Sequence, residues 1–177
     1  ALARWQKLDP EKAPRVVSVN VSRAELAQGA RLLKCVRESL AAAGLSSNSL
    51  QLEVTEREEM RDPQDSLALM HQLREAGVRL AMDDFGTGTS SLGCLRDYPF
   101  DVIKIDRTFV EGLSAGPDTL AVIHATITLV ENLGKNSVAE GVETGEQLAI
   151  LQSLGCHYAQ GYFLGYPMPE SEVVNTE

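Results

Sequence analysis

The stretch VIKID at residues 102–106 places Ile103 and Ile105 on one side of an extended chain and Val102, Lys104 and Asp106 on the other. A strand in a parallel sheet that helices cover on both faces should be apolar on both. VIKID is not, and the other strand candidates repeat its pattern. In LQLEVTE (50–56), Leu52 and Val54 alternate with Gln51, Glu53 and Thr55. In VVSVNVS (16–22), Val17, Val19 and Val21 alternate with Ser18 and Asn20. In a barrel, the apolar phase faces the helices and the polar phase points inward, where an unpartnered charge is costly.

Around these stretches, strand and helix signals alternate. The remaining strand candidates are VRLAMDDF (78–85), NSVAEGVE (136–143) and HYAQGYF (157–163). Ser22 and Glu25 form a capping box for a helix that Gly44 closes, and Asp62 with Pro63 opens another that ends before Gly77. Pro117 stands near the start of a third helix ended by Gly134. Thr144 with Gln147 caps a last one stopped by Gly155. No linker or composition shift divides the chain, so residues 1–177 are expected to form a single domain. Strands followed by helices imply parallel βαβ units, and two architectures compete: an open doubly wound sheet and a (β/α)8 barrel. A barrel needs eight strands and roughly 250 residues, which leaves this chain about two strand–helix units short. The opening ALARWQKL reads like a helix already under way, so the expected domain is N-terminally incomplete.

The composition is that of an ordinary globular protein, 44% hydrophobic and 23% charged over 177 residues. No apolar stretch is long enough for a membrane span, and no signal-peptide layout is present. Cys35, Cys94 and Cys156 fit neither a disulfide framework nor a zinc pattern, which points to a reducing cytoplasm. A net charge of −9 argues against a nucleic-acid polymer as partner. A small phosphorylated ligand remains compatible with it, because divalent cations reverse the local charge of an acidic site.

Asn20, Glu53, Asp83, Lys104, Glu140 and Gln160 each lie late in a strand candidate, so in a barrel they converge on one mouth. Each alone has a plain reading as a turn residue, a cap or a solvated charge. Their shared phase in successive units is what makes them a set. Asp84 is out of phase with Asp83, but stands where the glycines that follow allow the chain to turn toward the same mouth. Two desolvated carboxylates about 4 Å apart repel by ~4 kcal/mol at an effective dielectric of 20, and a bound cation would remove that cost. One amide oxygen plus several carboxylates suits magnesium or manganese. No histidine or cysteine joins the set, which disfavours zinc; His71, His124 and His157 read as structural.

The motifs NVS (20–22), LEVTE (52–56), DDFGTGTSSL (83–92), DVIKIDRTFV (101–110), VAEGVET (138–144) and AQGYF (159–163) together resemble the EAL-domain phosphodiesterases, in order and spacing, over nearly the whole chain. The resemblance implies an α/β, TIM-like (β/α)8 barrel, here without its N-terminal strand–helix units. It also implies hydrolysis of cyclic di-GMP to its linear dinucleotide pGpG with two Mg2+ or Mn2+ ions. It makes Asn20, Glu53, Asp83, Asp84 and Glu140 metal ligands, with Asp83 bridging. It makes Lys104, Glu140 and Glu143 catalytic: Lys104 holds the attacking water and Glu143 steadies the glycine-rich loop. Asn20, Asp106 and Gln160 are assigned to the substrate. Flanking cyclase or sensor domains, a homodimer and a parent protein anchored to a membrane through other domains are further expectations from the family. By the same resemblance the Glu-Ala-Leu signature strand is expected upstream of residue 1, Thr89 stands where an aromatic is common, and Tyr166 stands where a basic residue is common. The alternatives are a non-catalytic cyclic di-GMP receptor and, less in keeping with the polar inner phase, a structural dimerisation module.

Overall fold

The computed structural model describes residues 1–55, 63–87, 92–114 and 116–173. Its six strands are β1 (Val17–Asn20), β2 (Leu50–Thr55), β3 (Arg79–Phe85), β4 (Val102–Ile105), β5 (Asn136–Ala139) and β6 (Tyr158–Ala159). All neighbours are parallel, and the spatial order is the chain order, β1-β2-β3-β4-β5-β6. A doubly wound sheet reverses its strand order at a switch point. This sheet has no reversal, so right-handed crossovers lay every connecting helix on the same face. The result is the curled wall of a part-barrel, which decides between the two expected architectures.

The helices are α1 (Leu2–Leu8), α2 (Arg23–Leu26), α3 (Ala30–Ala43), α4 (Pro63–Glu75), α5 (Leu92–Asp97), α6 (Arg107–Glu111), α7 (Pro117–Asn132) and α8 (Gly145–Ser153). They cover the apolar phase of the strands. Leu52, Val54, Leu80, Met82 and Ile103 pack with Val36 and Leu40 of α3 and Leu69, Met70 and Leu73 of α4. Ile105 and Ala139 continue that layer with Val110 of α6, Ile123 and Ile127 of α7 and Leu151 of α8. Each such side chain taken out of water contributes about 1.5–3 kcal/mol, so this outer layer carries the fold. At the two ends of the described chain, the Trp5 indole N–H donates to the Glu170 carbonyl at 3.0 Å.

The strands are shorter than the sequence pattern predicts. The last two stop at Ala139 and Ala159, because the chain leaves the ladder to build the mouth. The helix expected from Ser22 to Gly44 is two helices, broken around Gly29, whose φ of +47° lies in the left-handed region. The helical periodicity runs through that break and hides it. The capping boxes at Ser22–Glu25 and Thr144–Gln147 form as the sequence predicts. Asp62, expected to open α4, lies outside the described residues.

Candidate functional site

The polar phase of the sheet assembles around one ammonium group. Lys104 sits in β4 between Ile103 and Ile105, which face the helices, so its own side chain crosses into the part-barrel. There its Nζ lies 2.8 Å from Glu53 Oε2, 2.9 Å from Asp83 Oδ1 and 2.8 Å from Glu140 Oε1. The carboxylates come from β2, from β3 and from the residue after β5, as the strand phase predicts. Lys104 is 5% exposed and Glu53 8%. Burial alone would pull the lysine toward its neutral form. The hydrogen bonds that it donates to Glu140, Glu53 and Asp83 outweigh this and hold it well above its ordinary value, so the group is a fixed cation. Burial pushes the Glu140 carboxyl up, and the charges of Asp83 and Glu53 add to this against the opposing pull of Lys104.

Asp84 reaches the cluster by a route the alternation does not predict. The β3–β4 register runs Met82↔Ile103 and then Phe85↔Ile105, so Asp83 and Asp84 together oppose Lys104 alone. This is a β-bulge. Asp84 adopts φ +56°, the left-handed conformation, and its N–H donates to Asp83 Oδ1 at 3.1 Å. Such a backbone costs a non-glycine residue about 1–2 kcal/mol. In return Asp83 and Asp84 turn to the same side, while Phe85 resumes the apolar phase against the outer core. The strand does not end at the aspartates; it runs on to Phe85 and kinks at Asp84, whose own backbone makes the turn. Asp83, Asp84 and Glu140 each offer an oxygen within 4.8 Å of the others.

Three carboxylates, Glu53, Asp83 and Glu140, meet the Lys104 ammonium, and Asp84 adds a fourth beside Asp83 and Glu140. The excess negative charge and the all-oxygen donor set fit a hard divalent cation, and nothing in the set would select zinc.

A cleft of about 330 Å³ opens beside the cluster, walled by Asp84, Glu140, Asp106, Glu143 and Gln160 together with Arg107 and Tyr162. Arg107 and Tyr162 do not belong to the strand-phase set. Their signal is proximity alone, since Arg107 follows the expected substrate residue Asp106 by one position and Tyr162 follows Gln160 by two. Two glycines let the walls close. A Cβ on Gly161 would collide with the backbone nitrogen and oxygen of Val142, and Gly141, at φ +73°, would bring one to 2.5 Å from Arg107 Cβ. Gln160 is thereby pinned: its N–H donates to Ala139 at 2.8 Å and its carbonyl accepts from Val142 at 3.0 Å.

The other expected residues divide. Asn20 ends β1 in register with Glu53, exposed and outside the lysine cluster. Asp106 lines the cleft and also caps α6, accepting from the Thr108 N–H at 3.0 Å and from its hydroxyl. Glu143 is exposed on the cleft wall, its backbone N–H held by Gln147 Oε1 at 2.8 Å. The glycine-rich loop it is expected to steady falls mostly on residues 88–91, outside the described residues, and Thr89 with it. His157 ties β6 to β5 through Ser137, accepting its N–H at 3.2 Å, away from the carboxylates. Among the described residues no helix is long and apolar enough to cross a membrane.

Residues 1–167 match the family model of the EAL domain. The chain is 40% identical over 174 residues to the cyclic di-GMP phosphodiesterase RocR of Pseudomonas aeruginosa, covering 98% of this chain and 44% of that protein. It is 41% identical over 167 residues to MucR of the same organism, a bifunctional diguanylate cyclase/cyclic di-GMP phosphodiesterase, covering 94% of this chain and 24% of that one. The PaMucR phosphodiesterase in its c-di-GMP complex superposes with a TM-score of 0.87 at 39% identity, covering 97% of this chain and 70% of that chain. A Klebsiella pneumoniae BlrP1 complex with manganese and cyclic di-GMP gives 0.82 at 33% identity, covering 92% and 41%. The chain spans between 19% and 44% of the length of such curated relatives.

Proposed function

We propose, since this chain belongs to the EAL-domain family, that it is a cyclic di-GMP phosphodiesterase dependent on a divalent cation. The observation that carries this is the cluster itself: Lys104 held by Glu53, Asp83 and Glu140, with Asp84 turned in beside them by a bulge. A receptor that only binds the nucleotide has no need of that many like charges around one lysine.

Two Mg2+ or Mn2+ ions on Asn20, Glu53, Asp83, Asp84 and Glu140 would supply Lewis acidity toward a phosphate oxygen and an acidified water. The residues of the chain do the rest. Asp83, central in the cluster, holds the spacing of the donor set. Lys104 stays protonated, orients the attacking water and places positive charge where the transition state becomes negative. Glu143, fixed through its backbone by Gln147, steadies the loop after β3. Asp106 and Gln160 on the cleft wall, with Asn20, face the nucleotide. Water oxygen adds to one phosphorus, the bond from phosphorus to the 3′ oxygen breaks, and that oxygen leaves as a hydroxyl. The product is the linear dinucleotide pGpG with a terminal 5′-phosphate.

By the same reading the chain acts as one domain in the cytoplasm, joined in the whole protein to cyclase or sensor domains as in MucR, and pairs as a homodimer. The test is incubation of the full-length protein with cyclic di-GMP and Mn2+, following pGpG by chromatography, with Asp83→Asn as the control. Product that vanishes in the control supports the reading. Tight nucleotide binding without product makes the protein a receptor instead.

A further inference from the structure

On the helical side of the sheet, a groove runs between the α2–α3 junction and one face of α4, and it shares no residue with the cleft or the carboxylate cluster. Lower down, Val36 and Leu40 of α3 join Leu69, Met70 and Leu73 of α4 in one apolar layer. Where the two helices begin, the chain breaks at Gly29, whose φ is +47°. There the walls carry small side chains, Ala27 and Ala30 on one side and Ala68 on the other. They leave a space of about 390 Å³, larger than the cleft. A Cβ on Gly29 would meet nothing within 4 Å.

The floor of the groove is apolar, made by Leu26 and Leu69, which are 6% and 4% exposed. Four polar side chains stand around it: Arg23 on α2, and Asp65, Ser66 and Gln72 on α4. Among the described residues, none of the four side chains makes a hydrogen bond or an ion pair. Arg23 and Asp65 carry opposite charges on opposite walls of one space, and they lie too far apart to pair. A ligand with an acid at one end and an ammonium at the other satisfies both. A single amino acid carries its two charges close together, whereas a dipeptide carries them at opposite ends.

We propose that this groove binds a short aliphatic peptide with both ends free, of about dipeptide size. Its carboxylate meets Arg23, its ammonium meets Asp65, and its side chains cover Leu26 and Leu69. A guanidinium takes a carboxylate through two parallel N–H bonds, which fixes the direction of the peptide. The Ser66 hydroxyl and the Gln72 amide can each donate and accept, as the peptide bond requires. Ligand pockets of this size combine an apolar lining with a few polar groups that set orientation. The site depends on neither the metal nor the nucleotide.

The test is calorimetric titration of the dipeptide Leu-Leu into the full-length protein, without nucleotide or added metal. Heat should report binding, and the melting temperature should rise with peptide concentration. Arg23→Gln and Asp65→Asn should each weaken binding about tenfold, by loss of one charge-assisted contact. Ala68→Phe, which fills the groove, should abolish it, and without peptide all three variants should melt close to wild type. Free leucine and the capped peptide N-acetyl-Leu-Leu-amide should bind far more weakly than Leu-Leu. No heat with Leu-Leu would overturn the proposal, as would leucine or the capped peptide binding equally well. Binding that survives all three substitutions would place the peptide elsewhere and overturn it too. A dimer that Ala68→Phe dissociates would put a second copy of the chain in the groove instead. Hydrolysis enters none of these readouts, so a protein that binds Leu-Leu but leaves cyclic di-GMP intact would keep this site and remove the phosphodiesterase reading.

Discussion

Ile103 and Lys104 are neighbours in one short strand and both are buried, at 0% and 5% exposure. They nonetheless belong to regions with opposite physics. Ile103 enters an apolar layer shared with Met82, Leu80 and the helices, where every contact removes hydrocarbon from water. Lys104 enters a ring of carboxylates, where desolvation works against each charge and only mutual pairing offsets it. The outer face of the sheet holds the protein together. The inner face holds a charge arrangement that folding alone does not require. A strand with a period of two can serve both, because each face changes without disturbing the other.

The largest effect should come from Lys104→Met. Hydrolysis should fall by about 10²–10³-fold, from loss of the charge and the donor. Without added metal the variant should also lose about 3–5 kcal/mol, because Glu53, Asp83 and Glu140 would face one another with no cation between them. Excess Mn2+ should restore part of the melting temperature but not the activity; binding at 100 times its Kd is worth ~2.7 kcal/mol. Denaturant melts with and without Mn2+, read against wild type, check this. A metal-free variant as stable as wild type would mean that the inner face carries no such strain.

Ile103→Ala should do the reverse. It should cost about 2–5 kcal/mol by emptying a fully buried site, while the folded fraction turns over near the wild-type rate. Melting and activity measured on the same samples separate the two. A variant that is stable but slow would show that the faces are coupled through β4.

The parts of this arrangement legible in the sequence are those that follow from periodicity. Alternation in VIKID and LQLEVTE is enough to put Lys104 and Glu53 on one face, and capping residues such as Thr144 mark where helices start. Alternation also assumes an unbroken register. That is why it puts Asp84 out of phase: the bulge depends on how β3 lies against β4, which no single strand encodes. The break at Gly29 is hidden for a like reason, since one glycine within a helical period does not say whether the chain turns there. Arg107 and Tyr162 enter the cleft only because Gly141 and Gly161 let two backbone segments approach closely. That is a tertiary fact, with no pattern of its own along the chain.

Gln147 lies on the border between the faces, and its replacement sharpens the contrast at smaller cost. Its Oε1 accepts from the N–H groups of Glu143 at 2.8 Å and Thr144 at 3.0 Å, and its Nε2 donates to the Val110 carbonyl at 3.3 Å. Gln147→Ala strands these groups, and should lower stability by about 1–3 kcal/mol. It should also slow hydrolysis, because Glu143 loses its anchor. Loss of stability with kcat unchanged would confine Gln147 to the outer scaffold.

The smallest effect lies at Glu25, apart from the lysine cluster, and depends on pH. Its carboxylate accepts from the Ser22 hydroxyl at 2.7 Å and from the Ser22 N–H at 2.8 Å, and these bonds lower its pKa below the ordinary 4.5. The unfolded chain therefore takes up this proton more readily than the folded one, so the capping box stabilises the protein above the ordinary carboxylate range. That contribution is lost as the pH falls through the lowered value. Glu25→Gln keeps an acceptor but cannot titrate, so the melting-temperature gap between it and wild type should be widest near neutral pH and close under acid. Activity at neutral pH should not change, since Glu25 touches neither the carboxylate cluster nor the cleft. A gap that stays constant with pH would mean that the box acts by shape alone. A drop in turnover would mean that α2 belongs to the mouth, and the line between the two regions would then have to be drawn elsewhere.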